Sequence, residues 1–558
     1  MKIRHFAHAA TAVLLGSTLL TTGCVKRASK VALGNKAQIF HFGNGGEPAD
    51  LDPQVVQGVP EHNIIKAIFE GLASVHPRDL SPQPAVAERW EVSPDRKTYT
   101  FFLRPNAAWS NGDPVTADDF VKAYERILNP KLAAPYADML HIMDGAEEYN
   151  TGKLTDFSKV GVKSLGPKKL QITLKAPASY FLAMLNHYAW FPVHMPTVDK
   201  FGKRYDKGNR WTRPENIVSN GPFLLKDWKT QQEIVVTKNP KYWDANQVRL
   251  KEIHFYPIES NDAEERAFRG GQLHTTSTVP TEKVDSYKAS GSSLRIEPYY
   301  GAYYYRVNVD KTKEKNPALL DARVRRALAM SIDRESITKN VLRAGQFPAY
   351  SLTPPGPGGY RPKEQSKYDP DGARRLLSEA GFPGGKGIPK ITVLINTAED
   401  HKKVAEAIQQ MWKKELGVEV EIINQEWKVY LATQHDLDYQ ISRSAWIGDF
   451  PDPNAFLDIM RTGNGNNETG FASPEYDKLI IDSWSASGSA RIELLQKAEA
   501  ILMQEMPVIP IYFYTRNYLI VSSVKGWFAN LLDDHPWKFI YLDESAAPDK
   551  MPVLGIAR

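Results

Sequence analysis

KITVLINTAEDHKKVAEAIQQMWKKELGVEVEII, residues 390–423, holds two short apolar runs around one long periodic segment. Lys390 to Ile395 is rich in β-branched residues and predicts a strand. From Glu399 to Leu416, Val404, Ile408 and Trp412 recur every fourth position, the mark of an amphipathic helix. Gly417 ends that helix, since glycine accepts the left-handed turn that stops one. Val418 to Ile422 is the next strand. Strand, helix and strand form a βαβ unit, so at least one domain carries a mixed or parallel sheet.

Other elements extend this reading in both directions. Thr98 to Leu103 alternates as a strand, and Asn111-Gly112 signals a turn. Thr116 is placed as an N-cap, with Asp118 and Asp119 in the first turn and Phe120, Val121, Tyr124 and Ile127 on one face. A helix beginning near Asp321 carries Val324, Leu328 and Ile332. Another, after Asp369-Pro370-Asp371, carries Leu376 and Leu377 and stops at Gly381. Pro507 to Tyr514 is apolar enough for a buried strand. No internal repeat or low-complexity segment follows residue 40.

One short stretch carries chemistry: SAWIGDFPDP, residues 444–453. Asp438 to Arg443 leads in as a strand that ends at Trp446, and Asp449 follows from a loop kinked at Gly448. A carboxylate presented there faces water, an arginine or a cationic ligand. Asp452 and Asp458 are placed as structural, at a turn or helix entry.

The chain has 558 residues, enough for two or more domains. Its net charge of +5 is spread out, with no basic block beyond the N-terminus, which argues against nucleic-acid binding. Its 12 Trp and 25 Tyr fit an aromatic-lined cavity and equally a large core. No P-loop, H-E-x-x-H or G-x-S-x-G motif occurs, and the 13 His show no metal-ligand spacing. Neither cofactor nor metal is expected. A glycosidase's two carboxylates can lie far apart in sequence, so an envelope hydrolase of glycans or peptides stays open as the reading from another class.

The single cysteine, Cys24, excludes an internal disulfide and a cysteine metal site. A basic start and the apolar run Ala9 to Leu20 precede it, too short for a permanent membrane span. Leu20-Thr21-Thr22-Gly23-Cys24 resembles the lipobox of bacterial lipoproteins, with Thr21 where leucine is preferred. The expectation is a signal peptide over 1–23, a lipidated Cys24 and a tether over 24–38. Two or more acyl chains would hold the body at a membrane, outside the cytoplasm in the periplasm or cell envelope.

Several pieces occur in one order: Leu51-Asp52-Pro53-Gln54, Ile68-Phe69-Glu70-Gly71-Leu72, Trp109 to Phe120, Asn220-Gly221-Pro222-Phe223, Lys238 to Trp243, Asp321 to Leu328, and the 444–453 stretch. With them, the chain resembles the peptide-binding family of extracytoplasmic solute-binding proteins of ABC importers, over nearly all of 37–545. The resemblance implies an α/β, two-lobed periplasmic-binding-protein fold of class II type, with an extra inserted domain and a ligand cleft between lobes. It implies lobe I over 39–70, 194–299 and 517–558, the insert over 71–193, and lobe II over 300–516. It further implies a monomer that binds oligopeptides and delivers them to a membrane permease, with no covalent chemistry. A murein peptide is the narrower alternative ligand.

The same resemblance implies site residues. Asp449 matches the aspartate that takes the peptide's α-ammonium. The strand through Arg443, Ala445, Trp446 and Ile447 matches the one that bonds the peptide main chain, with Ala445 where glycine is usual. Gln57, Gly58 and Val59 match the opposing segment, with Gln57 in place of a glutamate. Arg443 and His401 match cations for the peptide carboxylate. A lysine from the run 311–315 matches a third, and Gln434 replaces an arginine. Trp427, Trp446 and Tyr136 match pocket walls.

Overall fold

A computed structural model describes residues 28–291, 293–547 and 549. The expected signal peptide and Cys24 lie outside the described residues. Three sheets organise the chain, and the bodies built on them are numbered in the same order. The first orders its strands Ile39–Gly43, Glu252–Tyr256, Glu233–Lys238 and Phe223–Lys229, with only the first pair parallel. The second is an antiparallel sheet, Ala87–Val92, Thr98–Leu103, Lys169–Thr173 and Val162–Ser164. The third has six strands in the order Phe347–Pro348, Val508–Leu519, Leu294–Val307, Ile441–Ile447, Ile391–Asn396 and Val420–Gln425.

Two of these strands are long. Leu294–Val307 and Val508–Leu519 pair antiparallel along both halves, with a register shift between Pro298 and Ala302. Their outer ends meet the first body, where the Thr276 N–H donates to Leu519 O at 2.9 Å. Their inner ends sit in the six-stranded sheet. They are thus the two spans that join a two-lobed α/β fold. A separate apolar core fills the third body, including Tyr305, Val324, Leu328, Val393, Ile408 and Trp412.

The βαβ unit is present. Ile391–Asn396 and Val420–Gln425 run parallel around the helix Glu399–Leu416. Gly417 caps that helix at φ 69°. The second strand starts two residues later than the sequence predicts. The Val418 N–H still bonds back to Trp412 O, so Val418 belongs to the helix end. The strand leading into Asp449 is shifted likewise, to Ile441–Ile447. Leu437 takes φ 55° and the Asp438 N–H returns to Thr433 O, so these residues close the preceding helix, Trp427–His435. Thr116 caps Ala117–Leu128 as expected, with its N–H donated to Asp119 Oδ2 at 2.7 Å.

Candidate functional site: an unpaired strand edge between two buried charges

The strand Ile441–Ile447 pairs along its whole length with Leu294–Val307 on one side. On its other side, Ile391–Asn396 pairs only with Ile441 and Ser442. The edge of residues 443–447 is therefore left without a neighbouring strand. The Gly448 N–H donates to Tyr300 O at 2.8 Å, which sets the phase of the ladder. In an antiparallel pair, alternate residues turn both main-chain groups to the same side. Ser444 and Trp446 thus face the paired strand, while Arg443, Ala445 and Ile447 face the open edge. Arg443 O confirms the phase, because it accepts from Tyr430 Oη and from Gln434 Nε2 at 3.0 Å on that side. Gly448 is needed for close approach: a Cβ there would sit 2.5 Å from the Tyr300 ring.

At one end of the edge stands Arg443, buried within the third body. Its guanidinium donates to Asn396 Oδ1 at 3.2 Å and Tyr514 Oη at 2.9 Å, and lies 4.9 Å from the Tyr303 ring centre. No carboxylate of the described residues pairs with it. His401 is beside it, its Nδ1 without a partner. Burial, and then the Arg443 charge, push the His401 pKa well below the usual histidine value.

At the other end stands Asp449, just past the strand. Its side chain is 11% exposed, and its one ion-pair partner among the described residues is His187, 3.4 Å away. Burial pushes the Asp449 carboxyl well above its ordinary range, and Asp138 adds to the shift. Burial also pushes His187 well below its own. Burial thus works against the charge of each group, and a ligand that brings a positive charge to Asp449 offsets that cost.

The opposing wall comes from the first and second bodies. Gly58, at φ 119°, opens the helix Val59–Ile68, and a Cβ there would lie 3.2 Å from Trp427 Cζ2. Gln57 Nε2 donates to Asn466 Oδ1 at 2.8 Å across the cleft. Val59 is 44% exposed. Tyr136 stands 6.2 Å from Trp446 and 4.5 Å from His187, ring centre to ring centre. Gln434 is 2% exposed and gives its amide to Ser442 Oγ and Arg443 O, at the Arg443 end of the open edge. The lysines at 311, 313 and 315 are all exposed, and Lys315 pairs with Asp438 at 2.5 Å.

Sequence reasoning did not single out His187, Tyr303, Tyr514, Asn396 or Asn466. The dense run Tyr299-Tyr300-Gly301-Ala302-Tyr303-Tyr304-Tyr305 was a signal for an aromatic wall. Among the described residues, the carboxylates Asp262, Glu282 and Glu399 lie close enough to share an ion. Lys283 and Lys403 already pair with the first two. No described helix is long and apolar enough to cross a membrane.

The family described as bacterial extracellular solute-binding proteins, family 5 Middle, matches residues 81–468. The oligopeptide-binding protein OppA of Bacillus subtilis is 38% identical over 493 residues, 86% of this chain and 88% of its own. Haemophilus influenzae OppA in complex with RPPGFSPFR is 32% identical and superposes with TM-score 0.85, covering 91% of this chain and 99% of that one. The murein tripeptide binding protein MppA, in its unliganded open form, is 33% identical with 91% and 98% coverage, yet its TM-score is 0.60. The two are equally similar in sequence. The gap therefore reflects the arrangement of the lobes, which in the present chain is nearer that of the peptide complex than that of the open form.

Proposed function

The chain belongs to the bacterial extracellular solute-binding proteins of family 5, and on that premise we propose that it captures peptides in its closing cleft for delivery to the membrane permease of an ABC importer. The observation that carries this reading is the open edge of residues 443–447, flanked by a buried cation and a buried carboxyl. A peptide lies along that edge as an added strand. Ala445 and Ile447 give it main-chain hydrogen bonds, which are blind to its side chains. Its α-ammonium meets Asp449 and ionises it. Its carboxylate meets Arg443, with His401 beside it. Charge-assisted bonds at both ends are roughly twice as strong as neutral ones.

Trp427, Trp446 and Tyr136 close the sides, and Gly58 lets the two lobes approach without a side chain between them. Hinge motion about the two long strands would open and shut the cleft. The site binds and releases without covalent chemistry, and no cofactor is needed. The expected lipid anchor at Cys24 would keep the monomer near its permease.

Native mass spectrometry of the purified protein tests the reading. Co-purified masses should be those of short peptides, and a murein peptide among them would narrow the ligand to that class. Ligand-free protein that hydrolyses peptides or glycans, and shows no saturable quenching of tryptophan fluorescence with peptides, would overturn it.

A further inference from the structure

The closed cleft holds a second polar feature that peptide capture along the strand leaves unexplained. Behind Trp446 lies a cavity of about 40 Å³. Asp138 lines it from the second body, just after Tyr136. Asn454 and Asp458 line it from the loop that follows the cleft strand, and Asp449 reaches its rim. Tyr136, Tyr180 and Trp446 supply aromatic walls.

Three oxygens in this lining have no donor: Asp138 Oδ1, Asn454 Oδ1 and Asp458 Oδ1. Asn454 is only 4% exposed, so solvent does not satisfy its oxygen. A buried acceptor left unpaired costs about 1–3 kcal/mol. The charges point the same way. Three carboxylates meet here, and the cation at hand is Arg461. It stands 3.7 Å from Asp458 and divides its guanidinium with Glu147 at 3.2 Å. Closure also brings Asp138 of one body against Asp458 and Asp449 of the other. Burial, and then Asp458, push the Asp138 carboxyl up to about 7.

We propose that this cavity receives the basic side chain of the ligand's first residue, the one whose α-ammonium Asp449 holds. The inference rests on the peptide-capture reading and deepens it. A lysine ammonium or arginine guanidinium brings the donors that the three oxygens lack. It also turns repulsion between like charges on the two bodies into a tie across the cleft. The volume admits a few heavy atoms, so the charged tip enters while the methylenes lie along Trp446 and Tyr136. A peptide with a basic first residue thereby favours the closed form over one with an apolar first residue of equal length.

Calorimetry tests this on ligand-stripped protein, with Lys-Ala-Ala, norleucyl-Ala-Ala, Glu-Ala-Ala and Ala-Ala-Lys as probes. Lys-Ala-Ala should bind at least about tenfold tighter than norleucyl-Ala-Ala, and Glu-Ala-Ala should bind weakest. Ala-Ala-Lys should not share the advantage. In the double variant Asp138→Asn, Asp458→Asn, the lysine-to-norleucine ratio should collapse to within about twofold, with thermal melting as the check on folding. Asp458→Asn alone should lower the same ratio if the double variant does not fold. Equal affinity of the wild type for the lysine and norleucine peptides, or a ratio that survives the substitutions, overturns the proposal. Failure of every peptide to bind overturns the peptide-capture reading, and this one with it.

Discussion

Asp449 and Arg443 owe their significance to what does not surround them. Arg443 is buried and Asp449 nearly so; among the described residues Arg443 meets no carboxylate and Asp449 meets only His187. Removing one partner of a buried ion pair costs about 3–5 kcal/mol. Asp449→Ala should therefore weaken binding of free peptides by on the order of 10²–10³-fold, at about 1.4 kcal/mol per decade. N-acetylated peptides should lose a similar factor against the wild type, and calorimetry with matched free and acetylated tripeptides reads both. Equal affinity for the two would remove Asp449 from the ammonium seat. Gln434 behaves differently. Its amide holds Ser442 Oγ and Arg443 O inside the lobe. Gln434→Arg should lower the melting temperature, by roughly the 1–3 kcal/mol of an unmade buried hydrogen bond or more. It should leave the dependence of affinity on peptide length unchanged, measured with oligo-alanines of two to six residues. A widened length range at constant stability would place Gln434 in the cleft. The position of Asp449 on a loop after a strand was legible from Gly448 and the flanking prolines. The inward turn of Gln434 was not, because its partners belong to another element.

At the scale of the element, the alternation within Ile441–Ile447 makes a paired prediction. Proline lacks the N–H and is tolerated in a strand only where that N–H faces an open edge. Ala445 faces the open edge and Ser444 faces the ladder. Ala445→Pro should fold, with peptide affinity lowered by about tenfold for one lost main-chain bond of about 1 kcal/mol and some misfit. Ser444→Pro should destabilise the sheet more strongly. Melting curves and peptide titrations of both variants check this, and the reverse order of stabilities would refute the phase assigned to the strand. The sequence located this strand but placed its start early. No periodic signal separates Asp438-Tyr439 from the strand, and only the left-handed Leu437 shows that they close a helix. The βαβ unit was clearer, since an 18-residue helix with fourfold spacing and a glycine stop carries its signal within itself.

At the scale of the whole molecule, closure and pH act through buried groups. A ligand that binds only the folded, closing form raises stability by about 2.7 kcal/mol at a hundredfold excess over Kd. Thermal shift with a bound tripeptide should show this, and no shift with it would argue against capture. Glu499 is 1% exposed, and burial pushes its carboxyl from 4.5 up to about 7. Between those values the folded state holds a proton that the unfolded state has lost. Stability therefore falls as pH rises through that window and stays lower above it, by ~3 kcal/mol at 1.4 kcal/mol per unit. Glu499→Gln should reduce this loss, so that denaturant melts at pH 5 and pH 8 differ less than in the wild type. An unchanged difference would mean that Glu499 is not protonated in the fold. The α/β class, the capped helices, the βαβ unit and the pieces that mark the family can be read from residue order, because periodicity and capping act within a turn or two of chain. Which edge of the cleft strand stays open, that Arg443 meets no carboxylate among the described residues, and that Asp138 meets Asp458 are settled by how the bodies pack. Those pairings join residues up to hundreds of positions apart, and packing of the bodies, not local sequence, sets them.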